Sequence, residues 1–201
     1  MDKRILHILT IAGIVVISLG GCSSASRSDV HASNSTPTLH PSLAPSTSQA
    51  PRVGDSAPDF ALSTLDGTRT VHLSDFRGQA VLLNFWTITC STCVKEQSTL
   101  QRFYAQQQAV GKQMAVLGVD LDQVNNFVNV ATLQQSLGLT YPILVDDHFQ
   151  VRISYQITNV PLAYFLDRQH IIRSIVAGPL DETELHKEVN CLMSTPPSPC
   201  F

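Results

Sequence analysis

Alternating apolar and polar residues predict a β-hairpin that leads into a buried strand. Residues 57–62 alternate up to Asp66-Gly67, a pair typical of hairpin turns, and the alternation resumes across residues 71–76. Residues 80–86 then form a nearly unbroken apolar run of strand length. Such a run favours a central strand that is covered on both faces.

Helical spacing replaces this pattern further along the chain. A first helix is predicted from Cys90 to near Gly111, with Glu96 on its apolar face. The later elements are predicted in order as a strand at 114–119, a helix from Asp122 to Gly138, a strand at 141–145, a short helix at 149–155, a hairpin of strands 162–166 and 171–176, and a final helix that Asp181 caps and that ends at Leu192. This order indicates an α/β fold with a central mixed β-sheet flanked by helices and an N-terminal β-hairpin extension.

The first 21 residues have the pattern of an export signal. Lys3 and Arg4 precede an apolar run over residues 5–19, which is shorter than the roughly 20 residues that span a membrane comfortably. The run ends in Gly20-Gly21-Cys22, and residues 19–22 resemble the lipobox of bacterial lipoproteins. That resemblance implies cleavage before Cys22 and a lipid on its thiol. The alternative is an uncleaved anchor helix, and both predict an exported protein held at the extracytoplasmic face of the cell membrane.

The next segment, residues 22–51, is predicted to be a disordered tether that starts at the lipidated cysteine. It is rich in Ser and Thr, contains four prolines, and has too little apolar content to offset the entropy of ordering. The folded domain is then expected over residues 52–192, followed by a Pro-rich tail at 193–201. The formal net charge is -3 and no long Lys/Arg run is present, so nucleic acid is not an expected partner.

A CxxC pair is the main chemical signal of the chain. Cys90 and Cys93 lie where the central strand gives way to a helix, so both thiols fall on one face of its first turn. The helix N-terminus favours a thiolate at Cys90, which would attack a substrate disulfide before Cys93 resolves the mixed disulfide. A zinc site would need a second closely spaced pair, and Cys191 and Cys200 are nine apart. Neither a metal nor another cofactor is therefore expected.

The stretch around this pair resembles a known family. Residues 83–96, with the sequence LNFWTITCSTCVKE, are similar to the active-site stretch of the TlpA/ResA-like thioredoxins, members of the redoxin (AhpC/TSA-related) superfamily. Residues 57–60, 73–78 and 160–167 match in the same order, and the similarity extends from residue 53 to about 192. The resemblance implies a thioredoxin-like fold and thiol–disulfide exchange with protein substrates, and members often act in cytochrome c maturation. Apocytochrome c, another exported disulfide protein and a membrane electron donor are all compatible partners.

Two departures from the family lie at the lip that meets the substrate. Thr89 stands where the family usually has Trp, directly before the nucleophile, and it is expected to contact the substrate. Ser91-Thr92 stands where the family favours proline. Partner identity, reduction potential and the direction of electron flow therefore do not carry over from the resemblance.

Glu96 is predicted to be a proton-transfer group. Its helical spacing places it on the face of Cys93, and it matches the family's active-site glutamate. A half-buried carboxyl group there would have a raised pKa and could relay a proton when Cys93 becomes a thiolate. The buried acid of thioredoxin corresponds to Asn84, which cannot titrate. The alternative for Glu96 is a surface ion pair with Lys95.

Val160-Pro161 resembles the loop whose cis proline faces the cysteines in thioredoxin folds. The resemblance implies a cis bond here that presents the Val160 backbone to an extended substrate segment. Cys191 and Cys200 form a predicted structural disulfide, since an exported protein tends to oxidise such a pair. The alternative is a buried Cys191 and a reactive Cys200.

Three other functions compete with exchange. A peroxiredoxin needs a Thr three residues before its nucleophile, which is present as Thr87, and a Pro seven before it, where this chain has Leu83. An extracytoplasmic copper chaperone on a related fold usually has CxxxC and a distant His, for which His148 and His170 are available. A redox-inert scaffold domain does not account for a CxxC pair at a helix start.

Overall fold

A computed structural model of the chain describes residues 49–111 and 114–194. The strands are β1 (Ala61–Thr64), β2 (Thr70–His72), β3 (Ala80–Trp86), β4 (Met114–Asp120), β5 (Ile143–Val145), β6 (Leu162–Leu166) and β7 (Ile172–Ala177). The α-helices are α1 (Ser91–Ala109), α2 (Phe127–Ser136), α3 (Gln150–Ser154) and α4 (Glu182–Met193). All strands and helices predicted from the sequence are present, but β1 begins at Ala61 rather than near residue 57, and residues 73–76 are not a strand.

The strands form one mixed sheet in the order β2-β1-β5-β4-β3-β6-β7. Strand β4 pairs in parallel with β3 and β5, and the other pairs are antiparallel. The predicted N-terminal hairpin, β1 and β2, forms one end of this sheet because β1 pairs with β5. The predicted α/β architecture with a central mixed sheet is confirmed.

Strand β3 is central and buried on both faces, as its apolar run predicts. All seven of its residues are buried. Leu83 and Phe85 belong to the core on one face, whereas Leu82 and Trp86 belong to the core on the other. Cys93 at the start of α1 packs into the same core as Trp86. The chain therefore reaches the redox pair directly from a buried strand.

Residues 73–76, predicted to continue a strand, form a 3-10 turn instead. The Asp75 carboxylate accepts a hydrogen bond from the His72 backbone N–H at 2.9 Å, and Asp59 accepts one from the Ser74 N–H at 3.0 Å. Short acidic side chains that bind nearby backbone N–H groups compete with strand pairing in this way.

The predicted cap at Asp122 is also wrong. A 3-10 turn at Val124–Asn126 precedes α2, and the cap residue of α2 is Asn126. The Asp122 carboxylate instead accepts a hydrogen bond from the Ile88 backbone N–H at 2.6 Å. The Asp122 carboxylate therefore binds a backbone N–H in the segment after β3 and does not cap α2.

Several sequence predictions lie outside the described residues. These are the signal over residues 1–21, the lipid site at Cys22, most of the tether, and Cys200 with most of the C-terminal tail. They remain predictions, as does the Cys191–Cys200 disulfide. Among residues 49–111 and 114–194, none of the helices combines the length and the apolar character that crossing a membrane requires.

Candidate redox site

Cys90 and Cys93 are joined as a disulfide at the start of α1, with their Cα atoms 5.2 Å apart. Cys90 is the N-cap residue of this helix, and its Sγ accepts a hydrogen bond from the Cys93 backbone N–H at 3.1 Å. Free N–H groups at a helix start carry partial positive charge and stabilise an anion. The geometry therefore favours a thiolate at Cys90 once the disulfide is reduced.

The two sulfurs differ in their access to solvent. Cys93 is 0% exposed and packs into the core, whereas Cys90 is half-buried at the surface. An incoming thiol or disulfide can reach Cys90 and not Cys93. This supports the predicted roles, with Cys90 as the attacking sulfur and Cys93 as the resolving one.

Threonine hydroxyls lie close to Cys90 in the sequence, and one of them contacts its sulfur. The Thr92 Oγ1 lies 3.2 Å from the Cys90 Sγ, within hydrogen-bonding distance. Thr89 is exposed beside Cys90, and its hydroxyl pairs with the Thr87 hydroxyl at 3.2 Å. Thr89 is therefore placed at the lip, where the sequence comparison predicts substrate contact. The hydroxyl contact of Thr92 was not predicted, because residue type alone does not show which way this side chain points.

The Val160–Pro161 segment lies against the redox pair, as its resemblance implied. Its peptide bond is cis, and the Val160 carbonyl oxygen lies 3.9 Å from the Cys90 Sγ. Pro161 is buried and Val160 is half-buried. A groove of about 350 Å³ adjoins them and is lined by uncharged residues that include Tyr155, Asn159 and Tyr164. An extended peptide could lie here with its cysteine at Cys90.

Glu96 is buried behind the disulfide rather than paired with Lys95 at the surface. Glu96 is only 3% exposed. One carboxylate oxygen accepts a hydrogen bond from the Asn84 amide and the other from the Leu180 backbone N–H, both at 2.8 Å. Burial raises the pKa of Glu96, and these two hydrogen bonds partly oppose the rise. The predicted inward direction of Glu96 is confirmed.

A small cleft connects Glu96 with the surface. It has a volume of about 290 Å³, and its lining includes Thr92, Lys95, Thr99 and Asp181 besides Glu96. Water in such a cleft can exchange protons with a carboxyl group that the protein otherwise covers. Glu96 therefore lies one helical turn after the resolving Cys93 and has a route to solvent through this cleft.

Sequence reasoning missed a second buried polar pair on α1. The Gln97 side chain donates to the Cys93 carbonyl at 2.8 Å, and the Tyr141 hydroxyl donates to the Gln97 Oε1. Both residues are at most 1% exposed. The pair holds the turn of helix that carries Cys93. No sequence signal marks it, because its two residues are 44 positions apart.

Of the residues considered for the competing functions, Thr87 lies in the turn before Cys90, and the others are placed as follows. His170 is buried in the turn between β6 and β7, whereas the His148 side chain is 90% exposed. Leu83, at the position where a peroxidase needs proline, is fully buried in the core. In the part of the chain that the structure describes, no three His, Cys, Asp or Glu side chains are grouped to hold a metal ion.

Known proteins share this domain. The AhpC/TSA family model matches residues 53–175. Thiol-disulfide oxidoreductase ResA of Geobacillus thermodenitrificans is 31% identical over 140 residues, which cover 70% of this chain and 78% of that relative. Thioredoxin-like protein YneN of Bacillus subtilis is 30% identical over 138 residues, covering 68% of this chain and 78% of that relative. The solved structure of StoA from Bacillus subtilis is 25% identical with a TM-score of 0.57, and the match covers 68% of this chain and 98% of that one. The predicted thioredoxin-like fold is confirmed.

Proposed function

We propose that this chain, which belongs to the AhpC/TSA family and is a thiol–disulfide oxidoreductase, acts outside the cytoplasm. Its substrates are the cysteine pairs of exported proteins. The observation that carries this proposal is the Cys90–Cys93 disulfide, with one sulfur at the surface and the other buried. The Cys22 lipid and the tether over residues 22–51 hold the domain near the membrane. The export signal over residues 1–21 supports this location.

The exchange reaction proceeds through two sulfur transfers. In the reduced protein, the Cys90 thiolate attacks one sulfur of a substrate disulfide, and the second substrate sulfur leaves as a thiol. Cys93 then attacks the Cys90 sulfur, which releases the first substrate sulfur and forms the Cys90–Cys93 disulfide. Two electrons pass from the protein to the substrate, and each step is reversible. A membrane electron donor would restore the dithiol.

Glu96 serves the second transfer. Cys93 must lose its proton before it attacks, and a buried thiol gives up a proton reluctantly. The carboxylate of Glu96, on the same helix face, accepts that proton and passes it to water in the adjoining cleft. A raised pKa suits this role, because it brings Glu96 closer to the working pH at which a relay both takes and returns a proton.

Val160 and Thr89 form the substrate contacts of the site. The Val160 backbone lies next to the Cys90 sulfur and faces the uncharged groove, so it can pair with an extended segment on one side of the substrate cysteine. Thr89 is exposed and directly precedes Cys90. The resemblance to the TlpA/ResA-like thioredoxins supports apocytochrome c as one substrate, since its haem-binding CxxCH segment is such an extended cysteine pair.

A trapping experiment tests the exchange function. The Cys93→Ser variant should accumulate a mixed disulfide between Cys90 and an oxidised CxxCH peptide, whereas Cys90→Ser should not react. Mass spectrometry of the wild-type protein should show a two-hydrogen change confined to the peptide that holds both cysteines. Absence of both signals under mild oxidants and reductants would overturn the proposal. The control for non-covalent binding is the same peptide with both of its cysteines replaced by serine.

A labelling experiment tests the location. Cells that express the full chain with a radiolabelled fatty acid should yield a labelled, membrane-associated protein, and the Cys22→Ala variant should lose the label. A protease added to intact spheroplasts should digest the domain. An unlabelled wild-type protein would contradict the lipid anchor, and a protected domain would contradict the extracytoplasmic location.

A further inference from the structure

The segment between β3 and Cys90 is joined to a neighbouring strand by a carboxylate. Residues 87–89 form the turn that leads to the N-cap sulfur, and this turn has an internal bond from the Cys90 N–H to the Thr87 carbonyl at 3.3 Å. The Ile88 N–H donates outward, to the Asp122 Oδ2 at 2.6 Å. A charge-assisted bond of this length is among the stronger ones in proteins. Asp122 thus links the lip of the redox site to the end of β4.

Asp122 is itself held by its neighbours. It is 5% exposed, and its other oxygen, Oδ1, accepts a hydrogen bond from the Asn126 amide at 3.0 Å. Its backbone N–H donates to the Asp120 Oδ1 at 3.1 Å. Asp122 is therefore held at its carboxylate by Asn126 and at its backbone N–H by the strand residue Asp120.

Asp120 is a buried acid with an unusual environment. It is 0% exposed, it pairs with Trp86 across β3 and β4, and among the described residues no N–H or O–H group donates to its Oδ2. Burial raises the pKa of Asp120 to about 8, and the hydrogen-bonded carboxyl group of Asp122 adds to the rise. Two carboxyl groups can hydrogen-bond to each other only if one of them holds a proton. At neutral pH that proton resides on Asp120.

We propose that Asp122 is a positioning residue of the redox site and that a protonated Asp120 keeps it in place. A neutral Asp120 does not repel the Asp122 carboxylate, which accepts the Ile88 N–H. When Asp120 ionises, two adjacent carboxylates repel each other, Asp122 turns away, and the Ile88 bond weakens. The turn before Cys90 then loses its support, and exchange slows. The inference deepens the proposed function, because it identifies what holds the lip of the same site.

Other titratable groups near this end of the sheet have partners of their own. The Asp146 carboxylate at the end of β5 accepts hydrogen bonds from the Val151 and Arg152 N–H groups. On the Trp86 side of the sheet, Glu96 is bonded to the Asn84 amide and the Leu180 N–H, and Tyr141 is bonded to Gln97. The buried Cys93 does not titrate in the oxidised protein. Asp122 is therefore the carboxyl group that responds when Asp120 ionises.

The single tryptophan of the chain gives a direct probe of Asp120. Because Trp86 is the cross-strand neighbour of Asp120, its fluorescence should change when that carboxyl group ionises. The oxidised protein is titrated from roughly pH 6 to pH 10, so that neither active-site cysteine contributes. We expect an inflection near pH 8, its loss in Asp120→Asn, and its retention in Glu96→Gln, which removes a different buried acid on this side of the sheet. An oxidised wild-type protein without the inflection, or Asp120→Asn with it, overturns the proposal.

A pair of substitutions at Asp122 tests the link to the redox site. Asp122→Ala removes the acceptor of the Ile88 N–H and should slow disulfide exchange about 10-fold, because a displaced turn misplaces the nucleophile. Asp122→Asn keeps an oxygen acceptor and should recover most of the rate. The reduction potential should shift in Asp122→Ala and stay close to wild type in Asp122→Asn. Equal rates and potentials in all three folded proteins would overturn the positioning role. The fluorescence titration needs no exchange activity, so this inference can fail while the proposed function stands.

Discussion

Asn84 and Glu96 form a buried hydrogen bond of 2.8 Å that ties the central strand to the redox helix. The amide lies on β3 at the position of thioredoxin's buried acid, and the carboxyl group lies one helical turn beyond Cys93. The titratable group behind the disulfide is thus supplied by the helix, and the strand supplies its hydrogen-bond donor. Among the described groups, none donates to the other amide atom, the Asn84 Oδ1, so the Nδ2 bond is what fixes this side chain.

The Asn84→Ala substitution should move the pH dependence of exchange to more alkaline values. The Asn84 amide stabilises the charged form of Glu96 and lowers its pKa, so its loss lets burial raise that pKa further. A higher pH is then needed to produce the carboxylate that accepts the Cys93 proton. The measurement is the rate of exchange against pH with a CxxCH peptide. Glu96→Gln is the companion variant, which should slow exchange at all pH values without unfolding, and unchanged kinetics in it would refute the relay.

The Thr92 hydroxyl should raise the reduction potential of the disulfide. It lies 3.2 Å from the Cys90 Sγ and can donate to the thiolate that reduction creates, which favours the reduced state. Thr92→Val should therefore raise the pKa of the Cys90 thiol and lower the potential by on the order of 20 mV, which corresponds to about 1 kcal/mol. Thr92→Ser keeps a hydroxyl and should stay close to wild type. Equilibration with glutathione measures the potential, and identical values for Val and Ser would contradict the hydrogen bond.

The Tyr141→Phe substitution should destabilise the fold. It removes the only donor that the structure gives the Gln97 Oε1 among the described residues, and it leaves that oxygen buried. A buried polar atom without a partner costs about 1–3 kcal/mol in the free energy of unfolding, which urea denaturation measures. The matched control is Tyr104→Phe, since the Tyr104 ring packs edge-on against Tyr141 and is only half-buried. A similar small loss in both variants would mean that the buried pair contributes little.

His170 should make the protein less stable in acid. It is 2% exposed, and burial is the main cause that lowers its pKa below the usual value. The unfolded chain then binds more protons than the folded one, so the free energy of unfolding falls as the pH drops through about 6.5 and towards the folded-state pKa. His170→Asn removes this titration and suits the left-handed backbone, since His170 has φ 62°. We expect the thermal midpoint of the variant to depend less on pH in this range. Parallel pH dependences for the two proteins would contradict the assignment.

Local pattern was sufficient for most of the fold. The alternation at the hairpin, the apolar run of β3 and the helical spacing of α1 each reflect which neighbours a residue meets within a few positions. The strand predicted at 73–76 failed because Ser74 and Asp75 enter a network of side-chain to backbone bonds that hydrophobicity does not report. The inward direction of Glu96 was predictable, since helical periodicity places it with Leu100 and Phe103.

The sequence by itself determined the order of strands and helices, the CxxC pair at a helix start and the burial of an acid behind it. These follow from short-range spacing, which decides the side of a helix or strand on which a residue falls. Only the tertiary structure decided which groups meet at the site. Ile88 and Asp122 are 34 residues apart, and Glu96 and the Leu180 N–H are 84 apart. Such contacts depend on how distant segments pack, and a directional hydrogen bond forms only when that packing brings donor and acceptor within about 3 Å.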